Sequence, residues 1–94
     1  MADSAVIREV DWMASTANVA KYLGPSFTGV IRDVENDIIY IRNGWWHRED
    51  GPALVGADNH KEFYLDGQFY LFEEWLNTIG ADEVMKTYYR VVYG

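Results

Sequence analysis

Two glycine turns fix most of what this chain can become. Asn43-Gly44 follows the β-branched and aromatic run Ile38-Ile39-Tyr40-Ile41, and Asp66-Gly67 follows Phe63-Tyr64-Leu65. Asn-Gly and Asp-Gly are strong hairpin signals, because both central residues of a type I′ turn need positive φ. Further turn chemistry stands at Glu35-Asn36-Asp37 and Ala57-Asp58-Asn59. Strands are therefore expected at roughly 28–33, 37–42, 45–48, 53–57, 60–66 and 68–71, joined as an antiparallel meander. The two glycines lie 23 residues apart, as do Asn36 and Asn59. At that offset Val30-Ile31 falls on Ala53-Leu54, Glu35 on Asp58, Tyr40 on Phe63 and Asn43 on Asp66. So short a period fits one two-stranded unit per repeat, each unit burying its neighbour's apolar face.

Helical signals flank this β region. Ser15 or Thr16 can cap a helix running to about Leu23, which Gly24-Pro25 then stops. Residues 5–12 read either way: Val6, Arg8 and Val10 alternate as in a strand, while Ile7, Val10 and Ala14 suit a helix, the reading favoured. Phe72, Trp75, Leu76 and Ile79 recur at i, i+3, i+4 and i+7, with Glu73 and Glu74 where the helix dipole favours acids. Gly80 ends that helix and Asp82 can cap another through Lys86; Tyr88–Tyr93 continues it or runs extended. The expected fold is a single α+β domain: a helical N-terminal segment (1–26), a β-repeat sheet (27–71) and a C-terminal helical cap (72–94). Such a cap protects a sheet end that would otherwise invite aggregation.

Composition narrows the function. Of 94 residues none is cysteine, which removes disulfides, thiolate nucleophiles and thiolate zinc sites together. Met1-Ala2-Asp3-Ser4 lacks the basic start of a signal peptide, and no apolar run suffices for a span, so the expected setting is the cytoplasm, away from membranes. A formal charge of −7 disfavours direct nucleic-acid binding. It leaves two uses for the acidity: solubility, or presentation of Asp33, Glu35, Asp37, Asp58 and Asp66 to a basic partner as a nucleic-acid mimic.

The densest chemistry lies in Gly44-Trp45-Trp46-His47-Arg48-Glu49-Asp50-Gly51-Pro52-Ala53. One histidine and two carboxylates suggest acid–base or metal chemistry. In an extended segment, however, His47 and Glu49 share one face while Arg48 and Asp50 share the other, and His60 is the only other histidine. No phosphate loop, nucleophile elbow or Cys/His ligand set occurs, and Ser4, Ser15 and Ser26 adjoin cap or turn signals. No catalytic residue, metal or cofactor is therefore assigned. Asn43, Gly44, Gly51, Pro52, Asp66 and Gly67 are assigned to turns, where Asp50 can accept from backbone N–H groups and Pro52 interrupts a strand. Trp46 is expected in the core and Trp45 outside. An outward tryptophan beside Arg48 has hot-spot composition, so Trp45, His47, Arg48, Glu49 and Asp50 form the expected interaction set. The set Tyr40, Phe63, Tyr64, Phe69 and Tyr70 reads as cross-strand packing, since basic interleaving is absent.

The octet Trp46-His47-Arg48-Glu49-Asp50-Gly51-Pro52-Ala53 resembles the W/L-H-R-E-D-G-P-A motif of a repeat family of tailed phages and bacteria, itself similar to the MORN repeat. Lys61-Glu62-Phe63-Tyr64-Leu65-Asp66-Gly67 matches its continuation, and Phe72-Glu73-Glu74-Trp75-Leu76 resembles the short helix that often ends such proteins. The resemblance covers about residues 28–79. Phe27-Thr28-Gly29-Val30 departs from D-G-P-A, and the next octet is lost at Phe69-Tyr70-Leu71. It implies MORN-like β-hairpin repeats and a phage origin, and assigns no activity. Together with small size and acidity it suggests a non-enzymatic protein–protein interaction module that occludes or sequesters a host protein, such as an antiviral-defence component. A nucleic-acid mimic and a small-ligand (nucleotide) sponge lined by Trp45, Arg48 and tyrosines are the alternatives, and exposed strand edges allow a homodimer.

Overall fold

The computed structural model describes residues 6–94, so Met1–Ser4 and the targeting expectation placed on them lie outside the described residues. The elements run β1 (Ile7–Glu9), α1 (Thr16–Leu23), β2 (Gly29–Arg32), β3 (Ile38–Arg42), β4 (Trp45–Trp46), β5 (Leu54–Val55), β6 (Lys61–Leu65), β7 (Gln68–Tyr70), α2 (Phe72–Thr78) and α3 (Glu83–Tyr93). One seven-stranded sheet has the order β1-β2-β3-β5-β6-β7, with β4 folded back onto β3. All six strands expected between 28 and 71 are present. The turns follow the hairpin chemistry: φ is 50° and 82° at Asn43 and Gly44, and 49° and 81° at Asp66 and Gly67.

Two expectations are corrected. Residues 7–9 form a strand rather than a helix, and that strand pairs parallel to β2 (Ile7 with Val30, Glu9 with Arg32), so the sheet is mixed instead of a pure meander. The α1 helix between β1 and β2 provides the crossover that a parallel pair requires. At the other end, Tyr88–Tyr93 continues as helix within α3, whose N-cap Asp82 accepts from the Met85 N–H.

The core divides between the two faces of the sheet. Ile31, Ile39, Ile41 and Leu54 pack under Ala14 and Val19, with Trp46 against them. Leu54 lies directly opposite Glu62, so its neighbour Phe63 points to the other face. There Phe63 packs with Trp75 and Leu76 of α2 and Tyr89 of α3, in a cluster where the tilted Phe63 and Trp75 rings have centroids 4.8 Å apart. Two indole N–H groups fasten these covers: Trp46 donates to the Ala14 carbonyl at 3.0 Å, and Trp75 donates to the Arg48 carbonyl at 3.1 Å.

Candidate functional site

The turns of β3–β4 and β6–β7 bring one half of the expected interaction segment into a groove. His47 is 8% exposed. Its Nδ1 accepts the backbone N–H of Asp66 at 2.9 Å, which leaves the ring proton on Nε2 facing Glu49 Oε2 at 2.9 Å. Arg42 lies across the same carboxylates, at 3.0 Å from Glu49 Oε2 and 3.1 Å from Asp66 Oδ1. Leu65, Gln68 and Tyr70 from the β6–β7 hairpin, with Thr78 and Ile79 at the end of α2, complete a hollow of about 380 Å³. One guanidinium, that of Arg42, there faces the two carboxylates of Glu49 and Asp66.

The other half of the segment serves the fold. Arg48 lies 4.0 Å from the centre of the Tyr40 ring, donates to Asp50 Oδ1 at 2.9 Å and to the Pro52 carbonyl at 3.2 Å. Asp50 thus accepts from a guanidinium, not from the turn backbone that its sequence context suggested. A side chain at Gly51 would run into the Arg48 guanidinium, and Pro52 is fully buried. His47 and Arg48 therefore face inward, while Trp45, Glu49 and Asp50 remain open. Trp45 is half exposed and rests on Gly67, where any Cβ would collide with its ring; Trp46 is the inward tryptophan.

His60 stands apart from this groove. It sits exposed between Asp58 (2.7 Å) and Glu62 (3.1 Å), and those bonds, Asp58 first, raise its pKa. His60 in turn lowers that of Asp58. Tyr64 donates to Glu62 at 2.9 Å; burial first, then that carboxylate, push its phenol up to about 12. Among the described residues no group of three or more His, Asp or Glu side chains is placed to hold a metal ion. The acids of the mimicry reading are scattered in role. Asp33 is buried and accepts from Ala14, Glu35 and Asp37 N–H groups, Asp37 accepts from Ala57, and Asp66 holds Arg42.

Comparison with protein-family models, with curated proteins and with solved structures finds no match.

The site must therefore be read from its own chemistry. Arg42, Leu65, Gln68, Tyr70, Thr78 and Ile79 were not singled out as site residues in the sequence. One signal was available: Arg42 and Asp66 each adjoin or occupy a hairpin turn and carry opposite charges, a cross-hairpin pair. The contribution of α2 had no such signal. The β7 strand borders the groove at the end of the sheet, with its Phe69 52% exposed and Leu71, the α2 N-cap that follows it, 61% exposed.

Proposed function

We propose that this chain is a non-enzymatic protein-binding module, built from MORN-like 23-residue β units and phage-encoded. It acts in the host cytoplasm by occluding or sequestering a host protein, with an antiviral-defence component as the foremost class. The observation that carries the binding reading is the uncovered apolar edge: Phe69 on the terminal strand and Leu71 just after it stay more than half exposed, beside a groove and a half-exposed Trp45. The unit reading is supported by register. Ile31 with Ile39 and Arg32 with Ile38 recur as Leu54 with Glu62 and Val55 with Lys61, each shifted by 23. Ile41 with Trp46 and Arg42 with Trp45 recur as Tyr64 with Phe69 and Leu65 with Gln68.

Wild type and two variants, Trp45→Ala and the double Phe69→Ala with Leu71→Ser, test this reading by co-purification from bacterial lysate. Stoichiometric retention of a protein by wild type, lost in the variants, is expected. Retention of nothing, or equal retention by all three, overturns it. The small-ligand reading has one observation in its favour, the 380 Å³ hollow, within the size range of ligand pockets. Its lining is Arg42, His47 and Tyr70 rather than the Trp45 and Arg48 expected for a sponge. Direct nucleotide titration followed by calorimetry decides it.

A further inference from the structure

We infer that the outer edge of β7 accepts an extended, basic segment of a partner protein, with one arginine or lysine of that segment lying in the Arg42–His47 groove. This deepens the binding-module reading and rests on it. The backbone argument comes first. In a two-residue hairpin Gln68 pairs with Leu65 and Tyr70 with Phe63 through hydrogen bonds, whereas Phe69 opposite Tyr64 is a non-bonded pair. The N–H and C=O of Phe69 therefore point away from β6, and among the described residues β7 has no strand partner on that side. An open donor–acceptor pair on an edge strand is what strand addition uses.

The side chains then specify charge. Glu49 uses Oε2 for both His47 and Arg42, and Asp66 uses Oδ1 for Arg42. Among the described residues Glu49 Oε1 and Asp66 Oδ2 have no hydrogen-bond partner, and both carboxylates are more than 60% exposed. Both His47 ring nitrogens are already engaged, Nδ1 by the Asp66 N–H and Nε2 by Glu49 Oε2. Flanking β7, a second hollow of about 420 Å³ shares Gln68, Tyr70 and Thr78 with the first and adds Glu74 but no cation. The whole edge thus presents three carboxylates against one guanidinium, with Leu65 and Ile79 available to cover an aliphatic stem. A basic strand matches that edge; a second copy of this chain, at a formal charge of −7, does not.

The test is a titration of the full ¹⁵N-labelled chain with the blocked peptide Thr-Val-Arg-Val-Thr and with its Arg→Glu counterpart. Expected are amide shifts centred on Gln68–Leu71, Glu49 and Asp66, and about tenfold weaker binding of the glutamate peptide. The variant Glu49→Gln with Asp66→Asn keeps an Asn-Gly turn and is expected to weaken the arginine peptide by about tenfold. Phe69→Pro removes the outward N–H together with the ring that packs on Tyr64 and should abolish binding, whereas Phe69→Ala, which removes the ring alone, retains it in weakened form. Equal affinity for both peptides, equal binding by N-acetylargininamide alone, or shifts mapping away from β7 overturns the inference. So does a concentration-dependent dimer that Phe69→Pro dissolves, because the edge would then be self-paired. If the peptides fail while co-purification succeeds, only this inference falls and the binding-module reading stands.

Discussion

The first hairpin pair (β2 to β4) and the second (β5 to β7) share a register but seal opposite faces. In the first, Ile39 and Ile41 are 1% and 3% exposed beneath the N-terminal segment and α1. Their counterparts 23 residues on are Glu62 and Tyr64, on a face that no helix among the described residues packs into a core, and Trp46 is matched by the half-exposed Phe69. On the other side the pattern inverts. Phe63 and Leu65 lie under α2 and α3, while their counterparts Tyr40 and Arg42 meet a guanidinium and two carboxylates. Backbone pairing is thus indifferent to which face is apolar; the cover decides. The uncovered half of each pair is where polar and aromatic groups remain available.

Exchanging counterparts across this boundary gives the largest expected effect. Ile39→Glu places an unpaired carboxylate under α1 and should cost more than about 4 kcal/mol, a large part of the stability of a small domain. Glu62→Ile, on the uncovered face, should stay within about 1 kcal/mol. Urea denaturation of the two measures the asymmetry, and equal losses would break the comparison. Next comes Trp75→Ala, which removes the tilted and edge-to-face ring contacts with Phe63 and Tyr89 and the bond to the Arg48 carbonyl, at about 3–5 kcal/mol by the same assay.

The two β-turns at the far end differ in the same manner. Asp33 is buried and gathers three backbone N–H groups, whereas Gly56 occupies its counterpart position and exposed Asp58 and His60 hold that turn. Asp33→Ala should therefore cost about 2–3 kcal/mol, and Asp58→Ala should leave the denaturation midpoint nearly unmoved. The smallest effect is titrimetric. His60 has a raised pKa, so its contact with Asp58 and Glu62 adds stability that is complete below the free-histidine range and is lost as pH rises through the raised value. Asp58 has a lowered pKa, so its share is present above the ordinary carboxylate range and is lost as pH falls through the depressed value. NMR titration of the His60 ring should shift downward in Asp58→Asn; an unchanged midpoint would show that the pair does not form.

Local chemistry was legible and long-range placement was not. Asn43-Gly44 and Asp66-Gly67 set their hairpins because positive φ is a property of two adjacent residues. Ser15 caps α1 by accepting the Asn18 N–H, as its position suggested. The β1 alternation of Val6, Arg8 and Val10 was visible but did not decide against a helix, because Ile7, Arg8 and Glu9 are all exposed and the parallel partner lies beyond a helix. The i,i+2 facing expected of an extended segment does appear in the His47–Glu49 and Arg48–Asp50 pairings, although residues 47–50 follow β4 as loop and bend rather than strand. The groove needed more: Thr78 and Ile79 reach it only because α2 folds back onto β6, and helical periodicity gives a face, not a destination.

The two indole bonds have a consequence for how the molecule opens. Trp46 is tied to the N-terminal cover, and two residues later the Arg48 carbonyl is tied to α2, so one short span is moored from both sides. Lifting either cover strains the other's mooring, which couples them into a single cooperative unit. The amides of His47 and Arg48, bonded to the Tyr40 and Tyr64 carbonyls, should then exchange with deuterium only through complete unfolding, more slowly than those of β1 or β7 at the sheet margins.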